Sequence, residues 1–218
     1  MTEQHTEILV ILDRSGSMEP RRDDTIGGFN GYIAGLRDLD ANVSLTQFDD
    51  MGIDHWASRR IQEMVPLTRG NYVPRGGTPL YDAIGETLEG FDQAKRNADA
   101  VWLTPLFTTA KVICVIVTDG HENASRRYTR EQIKVMIERR QGQGNWTFVF
   151  LGADQNAWDA ASGVGVPQGN TMAYKGSAAG TRRAWATTGR FTAMTANAPS
   201  GSTSVFYGGT VSATNPEE

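Results

Sequence analysis

Short apolar runs alternate along this chain with stretches whose apolar positions recur every three or four residues. Ile8–Leu12, Val112–Val117 and Trp146–Leu151 are rich in β-branched and aromatic residues and show no polar alternation, the pattern of strands buried on both faces. Asn42–Phe48 alternates instead, with Val43, Leu45 and Gln47 set against Ser44, Thr46 and Phe48, and predicts another strand. Ile53–Ala57 predicts a short strand running antiparallel to it across the turn Asp49-Asp50-Met51-Gly52, and Met172–Tyr174 an edge strand. Helical spacing links Ile26, Phe29, Ile33 and Leu36, then Leu80, Ile84, Leu88 and Phe91 behind Pro79 at a first helical position. Thr129 reads as the cap of a helix with Glu131 in its first turn and Ile133, Met136 and Ile137 inside. Gln155–Ser162 predicts a short helix, and Ser177–Thr195 a last one with Ala184, Phe191 and Met194 inward. Strands alternating with helices predict an α/β fold: a doubly wound, mostly parallel sheet with helices on both faces and one antiparallel edge strand.

A length of 218 residues suits one large domain, here expected over 1–197, and no internal repeat divides it. Residues 198–218 are rich in Gly, Ser and Thr and predict a flexible tail, interrupted only by the apolar triplet Val205-Phe206-Tyr207. The segment 97–110, with Trp102, Leu103, Leu106 and Phe107, is long for a connection between a helix and a strand. Packing on its own domain and contact with a partner both remain open for it.

Composition adds exclusions. Hydrophobic residues make up 39% and charged residues 21%, with a net charge of −4 and a pI of about 5.4. No basic face for nucleic acid follows from this, and most of the arginine pairs 21–22, 59–60, 126–127, 139–140 and 182–183 read as solvated helix ends or surface. The only cysteine, Cys114, lies inside an apolar run, so no intrachain disulfide forms and the thiol is expected to be buried and inert. The polar, acidic start and the lack of a long apolar stretch give no sign of a signal peptide or membrane span, and a cytoplasmic location is expected.

The chemistry gathers where the apolar runs end. Asp13-Arg14-Ser15-Gly16-Ser17 follows the first run and places side-chain oxygens at alternate positions. Thr78 stands in Arg75-Gly76-Gly77-Thr78-Pro79, and Asp119 follows the strand predicted over Lys111–Thr118 around the run Val112–Val117. Each has an ordinary structural use: a turn for Ser15-Gly16-Ser17 or Asp119-Gly120, a helix cap for Thr78. Together they are hydroxyl and carboxylate oxygens on loops that a doubly wound sheet brings to one edge, where such sheets bind ligands. Oxygen ligands without thiolate or imidazole suit Mg²⁺, Mn²⁺ or Ca²⁺ rather than Zn²⁺. Asp49 and Asp50 end the second strand, and Glu122 and Asn123 follow Asp119; all four are candidates to tune such a site from behind its ligands, or are solvated loop residues.

The Asp-x-Ser-x-Ser sequence after an apolar first strand, with Thr78 and Asp119 in order behind it, resembles the von Willebrand factor A (VWA) domain family. The resemblance covers about residues 7 to 190 and matches all five positions of that family's metal-ion-dependent adhesion site (MIDAS). In size the chain is similar to the small stand-alone VWA proteins of bacteria and their phages. The resemblance implies a Rossmann-like fold and a metal ion bound directly by Ser15, Ser17 and Thr78, with Asp13 and Asp119 binding directly or through water. It also implies that a partner protein's Asp or Glu carboxylate fills the remaining position. Partners in this family often include AAA-type ATPases; neither nucleic acid nor a membrane is expected.

The function expected is therefore a divalent-metal-dependent protein-binding module, not an enzyme. Two alternatives stand beside it: a Mg²⁺-dependent phosphohydrolase or phosphoryl-transfer enzyme, and a scaffold whose metal only stabilises the fold. Against the enzyme, no Asp-x-Asp follows the first strand and no lysine stands in the site loops. Gly163–Gly169 matches no phosphate-binding loop, His5, His55 and His121 form no ligand motif, and no Gly-x-Ser-x-Gly elbow surrounds Ser15.

Overall fold

The structure, a computed structural model, describes residues 5–100, 110–153, 157–199, 203 and 205–207, with main chain only at 98–100. Among the described residues, six strands form one sheet: β1 (Thr6–Asp13), β2 (Ala41–Asp49), β3 (Gly52–Arg60), β4 (Lys111–Thr118), β5 (Trp146–Gly152) and β6 (Thr171–Ala173), in the order β3-β2-β1-β4-β5-β6. All neighbours are parallel except β2 and β3, the antiparallel pair at one edge. The helices are α1 (Arg22–Gly35), α2 (Leu80–Ala100), α3 (Arg130–Gln141), α4 (Ala157–Gly163) and α5 (Ala178–Asn197).

β1 is buried along its whole length because both faces are covered. Ile8, Val10 and Leu12 point into a cluster with Phe29, Tyr32 and Ile33 of α1 and Ala184 and Trp185 of α5. Leu9 and Ile11 point into a second cluster with Ile84 and Leu88 of α2 and Ile133 and Ile137 of α3. α1 and α5 cross so closely that a Cβ on Gly28 would lie 2.1 Å from Trp185 Cδ1, so only glycine fits there. β2 departs from the expected alternation: Thr46, Gln47, Phe48 and Asp49 are all buried. Its second face is covered as well: Phe48 joins the cluster with Ile84 and Leu88 of α2, and Thr87 of that helix donates from Oγ1 to Thr46 Oγ1 at 2.9 Å.

α3 starts as expected at Thr129, which accepts from Gln132 N while Gln132 accepts from Thr129 N, a reciprocal capping box. α5 is capped by Ser177, but its buried stripe is Thr181, Ala184, Trp185, Thr188 and Thr192. Phe191 is only partly buried and Met194, expected inward, is 58% exposed. The phase shifts because threonines occupy the stripe: Thr188 bonds its own helix at Ala184 O, and Thr192 pairs with Tyr32 Oη at 3.1 Å. The end of α5 is held from below by Lys111 of β4, whose Nζ donates to the carbonyls of Thr195 (2.6 Å), Ala196 (3.1 Å) and Ala198 (2.6 Å). A cation there answers both the orphan carbonyls and the helix dipole.

Within the segment expected to be a flexible tail, two residues of the apolar triplet that interrupts it are docked, while Val205 stays 53% exposed. Phe206 and Tyr207 are 3% exposed and pack with Phe191 at ring-centroid distances of 6.0 and 5.7 Å. Buried Asn170 holds this segment, donating to Thr203 O at 2.7 Å and accepting from Phe206 N at 2.7 Å; Tyr207 Oη pairs with Thr188 Oγ1. Trp102, Leu103, Leu106 and Phe107 of the long connection lie outside the described residues. Cys114 is fully buried, and burial pushes its thiol up to about 12. Among the described residues, no helix is long and apolar enough to cross a membrane.

Candidate metal centre

The strand order reverses between β1 and β4, and the carboxyl ends of these two strands carry Asp13 and, one residue past β4, Asp119. Such a reversal opens the crevice in which doubly wound sheets bind ligands. Three loops close on it and are tied to one another through the main chain. Gly16 N donates to Gly76 O at 3.0 Å and Arg75 N to Arg14 O at 2.9 Å, joining the first loop to the second. Asn123 joins the second to the third, accepting from Thr78 N on Oδ1 at 2.8 Å and donating from its own N to Thr78 O at 3.1 Å. Gly76 has φ +63°, and a Cβ there would overlap the Asp50 carboxylate, so this turn requires glycine.

The structure brings together the five oxygen-bearing residues that the sequence singled out. Ser15 N donates to Asp13 Oδ1 at 2.6 Å, and the Ser15 and Ser17 hydroxyls lie 3.0 Å apart. Ser17 Oγ donates to Asp119 Oδ1 at 2.6 Å. Thr78 reaches the same point: a Cβ built on Gly120 would lie 2.9 Å from Thr78 Oγ1, 3.3 Å from Ser17 Oγ and 3.6 Å from Asp13 Oδ2. Oxygens of two loops and a strand end thus surround one small space beside Gly120. Asp13, Ser15 and Thr78 are buried, while Ser17 faces solvent.

The ordinary uses of these residues do not account for them. Ser15 precedes a short 3₁₀ helix, Gly16–Arg21, but its side chain makes no cap bond. Thr78 is not needed as a cap for α2, because Glu122 Oε2 takes Tyr81 N at 3.0 Å and Ser125 Oγ takes Asp82 N at 3.1 Å. The helix donors that a capping hydroxyl would satisfy are already bonded.

Residues expected behind the ligands divide by role. Asn123 and Glu122 position Thr78 and the start of α2; Glu122 Oε1 also closes its own loop by accepting from Ala124 N and Ser125 N. Asp49 is a hub: Oδ1 accepts from Met51 N and Gly52 N, and Oδ2 from Arg14 Nε at 2.8 Å and Arg75 Nε at 2.9 Å. Asp50 lies against the Gly76 turn.

Several contributors escaped the sequence reading. Thr118 Oγ1 donates to Asp13 Oδ2 at 2.5 Å, and Tyr72 Oη to Asp13 O at 2.7 Å. Asp82 binds the third loop through Arg126 N, Arg127 N and Tyr128 N. Arg21, expected at the solvated surface, is a correction: its Nη1 donates to Asp119 Oδ2 at 2.5 Å, so the site holds a cationic side chain of its own. Arg140 is also buried, donating to Asp92 Oδ2 at 2.6 Å and lying over the Trp146 ring. Local spacing carries no signal for pairs so distant along the chain.

Burial pushes the Asp13 carboxyl up to about 6, against the bonds from Thr118 and Ser15, which hold it down; the Asp119 charge adds a small upward push. Among the described residues, no group of three or more His, Cys, Asp and Glu side chains is placed to hold a metal ion. A cation beside Gly120 would rest on hydroxyls as well as carboxylates, and this donor set fits a hard divalent ion.

By sequence, the chain matches no family model and no curated protein. Its fold is that of von Willebrand factor A-type, Rossmann-like proteins among solved structures. Similar structures include the pilus adhesin SpaC from Lactobacillus rhamnosus GG, with a TM-score of 0.62 and 14% identity over 87% of this chain and 30% of that one. Proximal thread matrix protein 1 from the mussel byssus gives 0.59 and 13% over 84% of this chain and 46% of that one. Manganese-loaded Plasmodium vivax TRAP gives 0.54 and 18% over 84% and 71%. Another form of the mussel protein carries a zinc-occupied MIDAS motif. The chain spans less than half the length of the first two.

Proposed function

We propose that this chain is a divalent-cation-dependent protein-binding module. Ser15, Ser17 and Thr78, with Asp13 and Asp119, hold the ion, and a carboxylate from a partner completes its shell. The observation that carries the reading is the convergence of Thr78, Ser17 and Asp13 oxygens on one point beside Gly120. Manganese- and zinc-loaded forms among proteins of similar fold support metal binding in general. Mg²⁺ is the ion proposed here, with Mn²⁺ and Ca²⁺ as substitutes, because every donor is oxygen.

The protein's own contribution is to hold oxygens in place while leaving one side open. Asp13 is fixed by Ser15 N and Thr118, and Thr78 by Asn123. Ser17, Gly16 and Gly77 leave the outer face accessible to a partner. When bound, the ion supplies a positive centre that attracts an anionic group and exchanges a water for it.

Affinity capture from native extract tests this. Proteins retained in Mg²⁺ should be released by EDTA, return when Mg²⁺ is restored, and be absent with Thr78→Ala. A partner that survives both EDTA and Thr78→Ala would contradict the reading.

A further inference from the structure

We propose that Arg21 sets the charge of this cation site, loosening its hold on the ion and strengthening its hold on an incoming carboxylate. The inference rests on the reading just given and goes beyond it by assigning a role to a residue outside the oxygen set.

Arg21 ends the 3₁₀ helix that follows the first loop, so the chain delivers it back to the site it has just left. Its Nη1 bonds Asp119 Oδ2 at 2.5 Å and reaches Ser17 O at 3.3 Å. The other side of the guanidinium is pressed on the main chain of the β6–α5 connection. A Cβ on Gly176 would lie 2.3 Å from Nη2, 2.7 Å from Nε and 2.9 Å from Cζ. The head group is thus clamped between Asp119 and Gly176. Its Nε is buried with no hydrogen-bond partner, as is the Tyr174 hydroxyl two residues before Gly176. The Asp119 side chain is itself 1% exposed and takes Arg21 as its charge partner, and two polar atoms go unbonded with the guanidinium held there.

The charge count gives the reason to keep it. Asp13 and Asp119 with Arg21 leave one net negative charge; a divalent ion turns this into one net positive charge, which a single carboxylate neutralises. Without Arg21, the two carboxylates would cancel the ion by themselves, and a third carboxylate would bring excess negative charge. Arg21 therefore repels the ion and attracts the ligand. Ion and ligand become mutually supportive, because each binds better when the other is present.

The experiment uses the full chain and Mn²⁺ as probe, titrated calorimetrically in chloride and in acetate at equal ionic strength, corrected for Mn²⁺–acetate association in solution. Removing a like charge within a few ångströms of the ion should tighten Mn²⁺ binding by about tenfold or more in Arg21→Gln. Acetate should raise the Mn²⁺ affinity of the wild type and do so much less in Arg21→Gln, while Arg21→Lys, keeping the charge, stays near wild type. Gly176→Ala tests the same idea with Arg21 present: the added methyl would fall 2.3 Å from Nη2, so the guanidinium must shift against Asp119 and Mn²⁺ affinity should change with it. Unchanged or weaker Mn²⁺ binding in a folded Arg21→Gln overturns the proposal. If that variant fails to fold, unchanged binding in Gly176→Ala overturns it. A wild type that takes up no Mn²⁺ would fail differently, removing the cation site itself and this inference with it.

Discussion

Asp119 carries more at the residue scale than a position after a strand suggests. It accepts from the Ser17 hydroxyl and from Arg21, so it links the first loop to the third. Asp119→Ala should weaken Mg²⁺ binding by about tenfold or more while leaving the domain folded, since the Arg21 side chain left behind is 22% exposed and still donates to Ser17 O. Calorimetry with a parallel thermal melt checks both halves. Asp13 predicts a pH dependence. Its carboxyl is raised from 3.8 to about 6 in the folded chain, so the fold holds that proton more tightly than the unfolded chain does. In the metal-free protein this group favours folding below its ordinary value, and the contribution is lost as pH rises through about 6. Cation binding needs the ionised form, so apparent Mg²⁺ affinity should fall by about tenfold per pH unit below 6. Titrations between pH 5 and 7.5 read this directly, and a flat profile would contradict the burial assigned to Asp13.

Elements differ in how far the sequence announced them. β1, β4 and β5 were legible because burial on both faces leaves an unbroken apolar run, and the motif residues follow from where those runs end. The stripe of α5 was not, because Thr181, Thr188 and Thr192 are buried yet do not count as apolar. The triplet stood out as apolar, but the place that takes up Phe206 and Tyr207 did not, since its holding residue Asn170 lies 36 positions upstream of Phe206. Arg21 and Arg140 stand among the arginine pairs read mostly as surface, and no local pattern marks Arg14 or Lys111, yet all four bond main-chain or carboxylate groups made available only by folding. Two predictions belong here. Phe206→Ala should cost about 3 kcal/mol, by loss of buried ring surface and the gap left behind. Lys111→Met should cost about 2 kcal/mol, because the carbonyls at the end of α5 lose their donor inside the protein. Denaturant unfolding measures both, and a Phe206→Ala chain as stable as wild type would restore the flexible tail.

At the scale of the whole molecule, the sheet presents three loops at its carboxyl edge. Main-chain bonds from Arg75 and Gly16, and Asn123 across to Thr78, fix the loops to one another, so the oxygens beside Gly120 are placed before any ion arrives. Preplacement lowers the ordering cost of binding. The most direct test is a calorimetric titration of Mn²⁺ into the wild-type chain and into Thr78→Ala at pH 7.5. The account predicts one ion per wild-type chain and a loss of about tenfold or more in affinity on removing the hydroxyl, with the fold kept, since Glu122 and Ser125 cap α2 without Thr78. Equal Mn²⁺ affinity in the two proteins, or no uptake by the wild type, would contradict it.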